Sequence, residues 1–282
     1  MSKATKANKG SPKVSEEDVR MAVKERYAAL AQQGPSCCGS GSRPDTMCAC
    51  SDLYPKADII SVPEDAIAVS AGCGNPTAIA NLKKGMTVVD LGSGGGIDVF
   101  LSAKKVGPKG KVYGIDATPE MINRARRTAK ENGYENTEFR LGEIEHMPLE
   151  NGIADVIISN CVINLSPNKE QVFREAFRVL KAGGRLAVSD IVLMKELPED
   201  VLKDLGSWSE CVSGAVSEEI YIGALKSAGF TNIKVEDRAV YSHDMLKDYL
   251  KSASISEKLQ GVDLSDMIAS YRISALKPPP RG

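Results

Sequence analysis

Val88-Val-Asp90-Leu-Gly92-Ser-Gly94-Gly-Gly96 is the stretch that decides how this chain folds. A β-branched run, Thr87 to Leu91, stops at a glycine-rich turn, and a helix is predicted from about Ile97. The order is strand, tight turn, helix. Glycines there allow a tight turn and let a ligand approach the backbone amides that open the helix. The spacing is Asp-x-Gly-x-Gly-x-Gly, not Gly-x-Gly-x-x-Gly, which disfavours a dinucleotide pyrophosphate. No Gly-Lys-Ser/Thr follows, so the turn is not a P-loop.

Downstream the same alternation repeats. Lys111–Asp116 reads as a strand followed by a helix from Pro119 to Asn132, and Thr137–Leu141 as a short strand. Asp155–Ser159 leads to a helix from about Lys169 to Leu180, and Gly184–Ile191 closes the run. Such alternation predicts an α/β fold, a doubly wound Rossmann-like parallel sheet with helices on both faces. Asp116 ends the second strand, where a carboxylate can accept both hydroxyls of a ribose.

The flanks read differently. Val14 to Gln33 reads as a helix capped by Ser15, with Glu16, Glu17 and Asp18 in its first turn. A Gly-, Ser- and Pro-rich loop follows, carrying Cys37, Cys38, Cys48 and Cys50. After Leu197-Pro198, Ser217 caps a helix to Ala228-Gly229, Thr231–Glu236 is a strand and Met267–Lys277 a last strand. The predicted division is a Cys-rich N-terminal extension (1–55), a Rossmann-like domain (56–197), and a smaller C-terminal α+β region (198–282) that completes the sheet.

A formal net charge of -1 gives no pull toward nucleic acid or an anionic membrane. Arg124, Arg126 and Arg127 alternate with apolar residues and read as a solvated helix face. No apolar run is long enough to span a bilayer, and the first ten residues lack a secretory apolar core. A cytoplasmic location follows, where thiols stay reduced. The seven cysteines then point away from a disulfide framework and toward metal, redox or catalytic use. With only His146 and His243 present, zinc sites of mixed Cys/His type and histidine general bases are poor fits. Cys161 directly follows the fourth strand, Cys73 lies in a glycine-rich turn, and Cys211 comes after the fifth strand near Trp208. Soft thiolates of this kind bind soft, thiophilic centres.

From Thr87 to Ile191 the sequence resembles the class I S-adenosylmethionine-dependent methyltransferases. The resemblance implies that Asp90, Gly92, Ser93, Gly94 and Gly96 line the methionine part of the donor and that Asp116 holds its ribose. It places Gly142, Glu143, Ile144 and Glu145 at the adenine, Met121 over the adenine or ribose, and Asn160 near the sulfonium.

Gly-Cys73-Gly-Asn-Pro, Ser-Asn-Cys161-Val-Ile-Asn-Leu and Glu210-Cys211-Val-Ser-Gly together resemble the arsenite methyltransferase family, from Tyr27 to about Phe230. That resemblance implies As(III) held by the thiolates of Cys73, Cys161 and Cys211. A lone-pair acceptor needs no deprotonation, which suits a chain with no histidine placed as a base. The family also implies a disulfide between an N-terminal cysteine and Cys73, whose formation supplies electrons to the methylated arsenic. Cys37, Cys38, Cys48 and Cys50 are all candidates. A cellular thiol such as thioredoxin or glutathione would then restore the enzyme. Two other readings compete: a carbon methyltransferase of the quinone-biosynthesis type, and a thiol-rich metalloid or zinc sensor built on the four N-terminal cysteines. The Cys-Cys and Cys-x-Cys spacings depart from the usual Cys-x-x-Cys zinc knuckle.

Overall fold

The structure, a computed structural model, describes residues 15–32, 53–196, 214–245 and 265–279. Helix α1 spans Glu16–Ala31. Ser15 closes a capping box with Asp18, so the acidic first turn satisfies its own free amides. Two short helices follow, α2 at Lys56–Ile59 and α3 at Glu64–Ile67, neither of them predicted.

The predicted alternation then unfolds in order. Strand β1 (Thr87–Leu91) leads to α4 (Ile97–Val106), β2 (Lys111–Asp116) to α5 (Pro119–Glu131), and β3 is Thr137–Leu141. Strand β4 (Ala154–Asn160) leads to α6 (Lys169–Val179), and β5 runs from Leu180 to Leu193. A two-residue strand β6 (Val216–Ser217), α7 (Glu218–Ser227), β7 (Thr231–Val240) and β8 (Ile268–Leu276) follow.

These strands form one eight-stranded sheet in the order β3-β2-β1-β4-β5-β8-β7, with β6 paired to β5. The first five strands of that order are parallel, while β8 runs antiparallel between β5 and β7. The order of connection across the sheet reverses between the parallel strands β1 and β4, which opens a crevice at their carboxyl ends.

Alternation along the strands builds two cores. Val88, Val156 and Ile158 face α4 and α5, packing with Phe100 and Ala125. Val89, Leu91 and Ile157 face the other way, with Phe173 of α6 and Tyr221 of α7. Arg124 departs from the solvated face that its spacing suggests. It is buried, donating to the Ala31 carbonyl at 2.9 Å and to the Asp65 carbonyl at 3.0 Å. It thereby ties α5 to the ends of α1 and α3, a demand set by neighbours that sequence periodicity does not register. Among the described residues, no helix is long and apolar enough to cross a membrane.

Candidate active site

The crevice at the switch point is a cavity of about 1000 Å³, counting its open mouth. Its floor is the glycine turn. Gly92, Gly94 and Gly96 have φ of 64°, 51° and 97°, which L side chains resist. At Gly92 a Cβ would also stand 2.3 Å from a Val162 methyl. The Gly94 amide donates to Asp116 Oδ2 at 2.9 Å, and the Thr118 amide to Asp116 Oδ1 at 2.8 Å. Helix α4 starts at the turn with no side-chain cap, leaving its first amides to the cavity.

Three carboxylates gather here. Burial holds Asp90 well above the ordinary carboxylate range, and the nearby charges of Asp98 and Asp116 push it further. Burial raises Asp98 to about 6, against hydrogen bonds from Tyr54 and Asn160 and the charge of Lys105. Asp116 is raised by burial too, while the Thr118 and Gly94 amides pull it down. Ser93 Oγ is buried with no partner among the described residues. A cavity with acceptor carboxylates, free helix amides and an unsatisfied hydroxyl suits a polar, hydroxyl-bearing cation, and S-adenosylmethionine is one.

Helix α1 walls the cavity with Arg20, Val23, Lys24 and Tyr27. Lys24 reaches Glu143 at 2.5 Å and Arg20 reaches Glu145 at 3.5 Å. Glu145 is buried and also accepts from Ser166 Oγ at 2.7 Å.

The sulfur end lies beside Asn160. Cys161 lines the cavity and adopts a left-handed φ of 60°, a costly backbone for a residue with a Cβ. Its amide donates to the Ser189 carbonyl at 2.8 Å. Cys73 and Cys161 form a disulfide, their Cα atoms 5.8 Å apart across 88 residues of sequence. One expectation is corrected here. Composition argues against disulfides, yet one forms, because the fold sets these two residues face to face. The N-terminal cysteines proposed to pair with Cys73 lie outside the described residues. Cys73 is also no loose turn residue, for it packs with Leu165, Ile191, Ala215 and Ile268.

Of the residues predicted to hold the donor, Asp90, Gly92, Ser93, Gly94, Asp116, Glu143, Ile144, Glu145 and Asn160 line the cavity. Gly96 and Gly142 stand behind it: Gly96 caps α4, and the Gly142 amide donates to the Asp116 carbonyl at 2.9 Å. Met121 is fully buried with Ala31 and Val69 and takes no part in the lining. It faces α1 because that helix needs an apolar seat on α5. Cys37, Cys38, Cys48, Cys50, Trp208 and Cys211 lie outside the described residues. Among the described residues no three His, Cys, Asp or Glu side chains converge to hold a metal ion. Sequence reasoning missed Asp98, which reads as an ordinary acidic residue in a helix's first turn, and the four cavity-facing residues of α1.

The methyltransferase domain family matches residues 82–262. With the glycine turn and the carboxylate-lined crevice, this makes the chain an S-adenosylmethionine-dependent methyltransferase of class I fold. It is 40% identical to the arsenite methyltransferase of Halobacterium salinarum, over 98% of this chain and 71% of that one. It is 34% identical to that of Aquipseudomonas alcaligenes, over 86% of this chain and 66% of that one. CrArsM, an arsenic(III) S-adenosylmethionine methyltransferase from Chlamydomonas reinhardtii, superposes with a TM-score of 0.60 at 30% identity, covering 85% of this chain and 75% of that one. The chain belongs to the arsenite methyltransferase family.

Proposed function

We propose that the protein methylates trivalent arsenic held by cysteine sulfur. The observation that carries this reading is the meeting of Cys73 and Cys161, 88 residues apart, at the wall of the donor cavity. S-adenosylmethionine supplies an electrophilic methyl group on a sulfonium. The glycine turn and the α4 amides would bind its carboxylate-bearing part, Asp116 its ribose hydroxyls, and Glu143 with Ile144 its adenine. Asn160, between the turn and Cys161, would face the reacting centre. In the reduced protein, Cys73 and Cys161 would present two thiolates to the metalloid, with Cys211 as the third ligand.

Methylation turns the arsenic lone pair into an As–C bond and raises arsenic formally from three to five. Two electrons must then return. Oxidation of two protein thiols to one disulfide supplies them, and the Cys73–Cys161 bond is one form such a pair takes. A cellular thiol, thioredoxin or a glutathione-like molecule, would reset it. We also propose the three-part division at residues 55 and 197, with a cytoplasmic setting that keeps the thiols reduced.

The test is incubation of the reduced full-length protein with methyl-labelled donor and As(III), followed by separation of arsenic species. Labelled methylarsenicals are the expected product. Label that stays on the donor, or goes to a quinone precursor supplied in parallel, would overturn the reading.

A further inference from the structure

Tyr54 is absent from the cavity wall and from the sulfur pair, yet its hydroxyl reaches toward both. Only 4% exposed, it sits in the core with Val62, Ala66 and Ile97. The hydroxyl donates to Asp98, with both carboxylate oxygens at 2.9 and 3.0 Å. It accepts from Asn160 Nδ2 at 2.9 Å. Asn160 Nδ2 also donates to the Gly74 carbonyl at 2.7 Å and approaches Asp98 Oδ2 at 3.3 Å. On its other side, Asn160 Oδ1 accepts from the amides of Cys73 at 3.0 Å and Gly74 at 3.2 Å.

These bonds have a forced polarity. An ionised carboxylate only accepts, so Asp98 commits the Tyr54 proton to itself. The Tyr54 oxygen can then only accept from Asn160, which fixes the amide with its nitrogen toward Tyr54 and its oxygen toward Cys73. A flipped amide would set nitrogen against two N–H groups and oxygen against a carbonyl. The grip is close: a Cβ at Gly72 would stand 2.3 Å from Asn160 Nδ2. Ser270 Oγ holds the Cys73 carbonyl from the far side at 2.9 Å. Asn160 is joined by one peptide bond to Cys161.

We propose that Tyr54 is a positioning residue for the sulfur pair: its hydroxyl, its proton held by Asp98, locks the Asn160 amide in the orientation that clamps the Cys73–Gly74 backbone beside Cys161. The clamp sets how often the two sulfurs meet, and so their effective concentration toward each other. The inference concerns the pair itself and holds whichever acceptor the pair serves.

The readout is the dithiol–disulfide equilibrium of Cys73 and Cys161 in the full-length protein at pH 7.5, without donor, in glutathione buffers. Each disulfide reduced consumes two glutathiones and releases one glutathione disulfide. Alkylation and peptide mapping separate this pair from the other five thiols. Tyr54→Phe keeps the ring and removes the hydroxyl. It is expected to make the disulfide about five-fold easier to reduce, the effect of one lost hydrogen bond on the closed pair. Asp98→Asn, whose amide can donate to Tyr54 and free the phenol proton, should shift the equilibrium the same way. Tyr134→Phe serves as control: its hydroxyl bonds the Ser61 carbonyl, outside the clamp, and it should leave the equilibrium within two-fold of wild type (an assay-precision bound, ~2-fold). A Tyr54→Phe protein that melts earlier but keeps the wild-type equilibrium would sink the proposal, as would equal shifts in Tyr54→Phe and Tyr134→Phe. Should Tyr54→Phe not fold, an unchanged equilibrium in Asp98→Asn decides against it.

Discussion

The two ends of the cavity are built by opposite means. At the donor end, conformation is carried by consecutive residues. Gly92, Gly94 and Gly96 bend one turn, and the Gly94 amide meets Asp116 at the end of the next strand. At the sulfur end the contacts span distant stretches. Cys73, Asn160 and Ser270 come from three separate stretches, and the hydrogen bonds joining them are side chain to backbone. A backbone turn is rigid once folded, whereas a site held by a few side-chain hydrogen bonds can be retuned by one atom. The contrast suits the proposed division between a constant donor and a sulfur pair that opens and closes.

Substitutions can separate the two ends. Cys161→Ser should lower methylation by about a hundred-fold or more while leaving donor affinity near wild type, read by turnover and calorimetry. Comparable losses in both would mean that the two ends are one unit. Gly94→Ala places a side chain at a φ of 51° in open space, away from the sulfur pair. It should weaken donor binding about ten-fold and cost about 1–3 kcal/mol of stability, yet leave the Cys73–Cys161 equilibrium alone.

Between the ends stands Asp98, with its folded-state pKa raised from 3.8 to about 6. A raised carboxyl pKa stabilises the fold most below the unfolded value, and that contribution is lost as pH rises through about 6. Denaturant titrations should show Asp98→Asn gaining on wild type by up to about 3 kcal/mol between roughly pH 4 and pH 7. Parallel pH profiles for the two proteins would refute this. The smallest effect falls at the cavity's far wall: Ser15→Ala opens the capping box of α1 and should cost about 1 kcal/mol, with the sulfur equilibrium unmoved.

Legibility in the sequence followed the same divide. The parallel strands, the glycine turn and Asp116 were readable because each signal lies within a short window. Ser15 capped its helix, as its place before Glu16, Glu17 and Asp18 implies. The C-terminal strand also fell where alternation placed it, between Met267 and Lys277. What could not be read was which distant groups meet. Arg124 looked like surface because its partners, Ala31 and Asp65, belong to other helices. Met121 looked available to a ligand because nothing in its own helix shows that α1 lies across it. Tyr54 follows a cysteine-rich stretch of sequence, and no local pattern ties it to Asp98 and Asn160. That Cys73 and Cys161 meet was likewise a matter of topology, fixed only when β4 and the segment before β1 are brought side by side.

Strand β8 lies between β5 and β7 yet follows both in the sequence, and it carries the Ser270 that grips Cys73. During synthesis the donor turn is therefore complete while the ribosome is still making the strand that braces the cysteine. A half-made chain has the glycine turn before it has the strand that braces Cys73, so the order of translation itself delays assembly of the sulfur end.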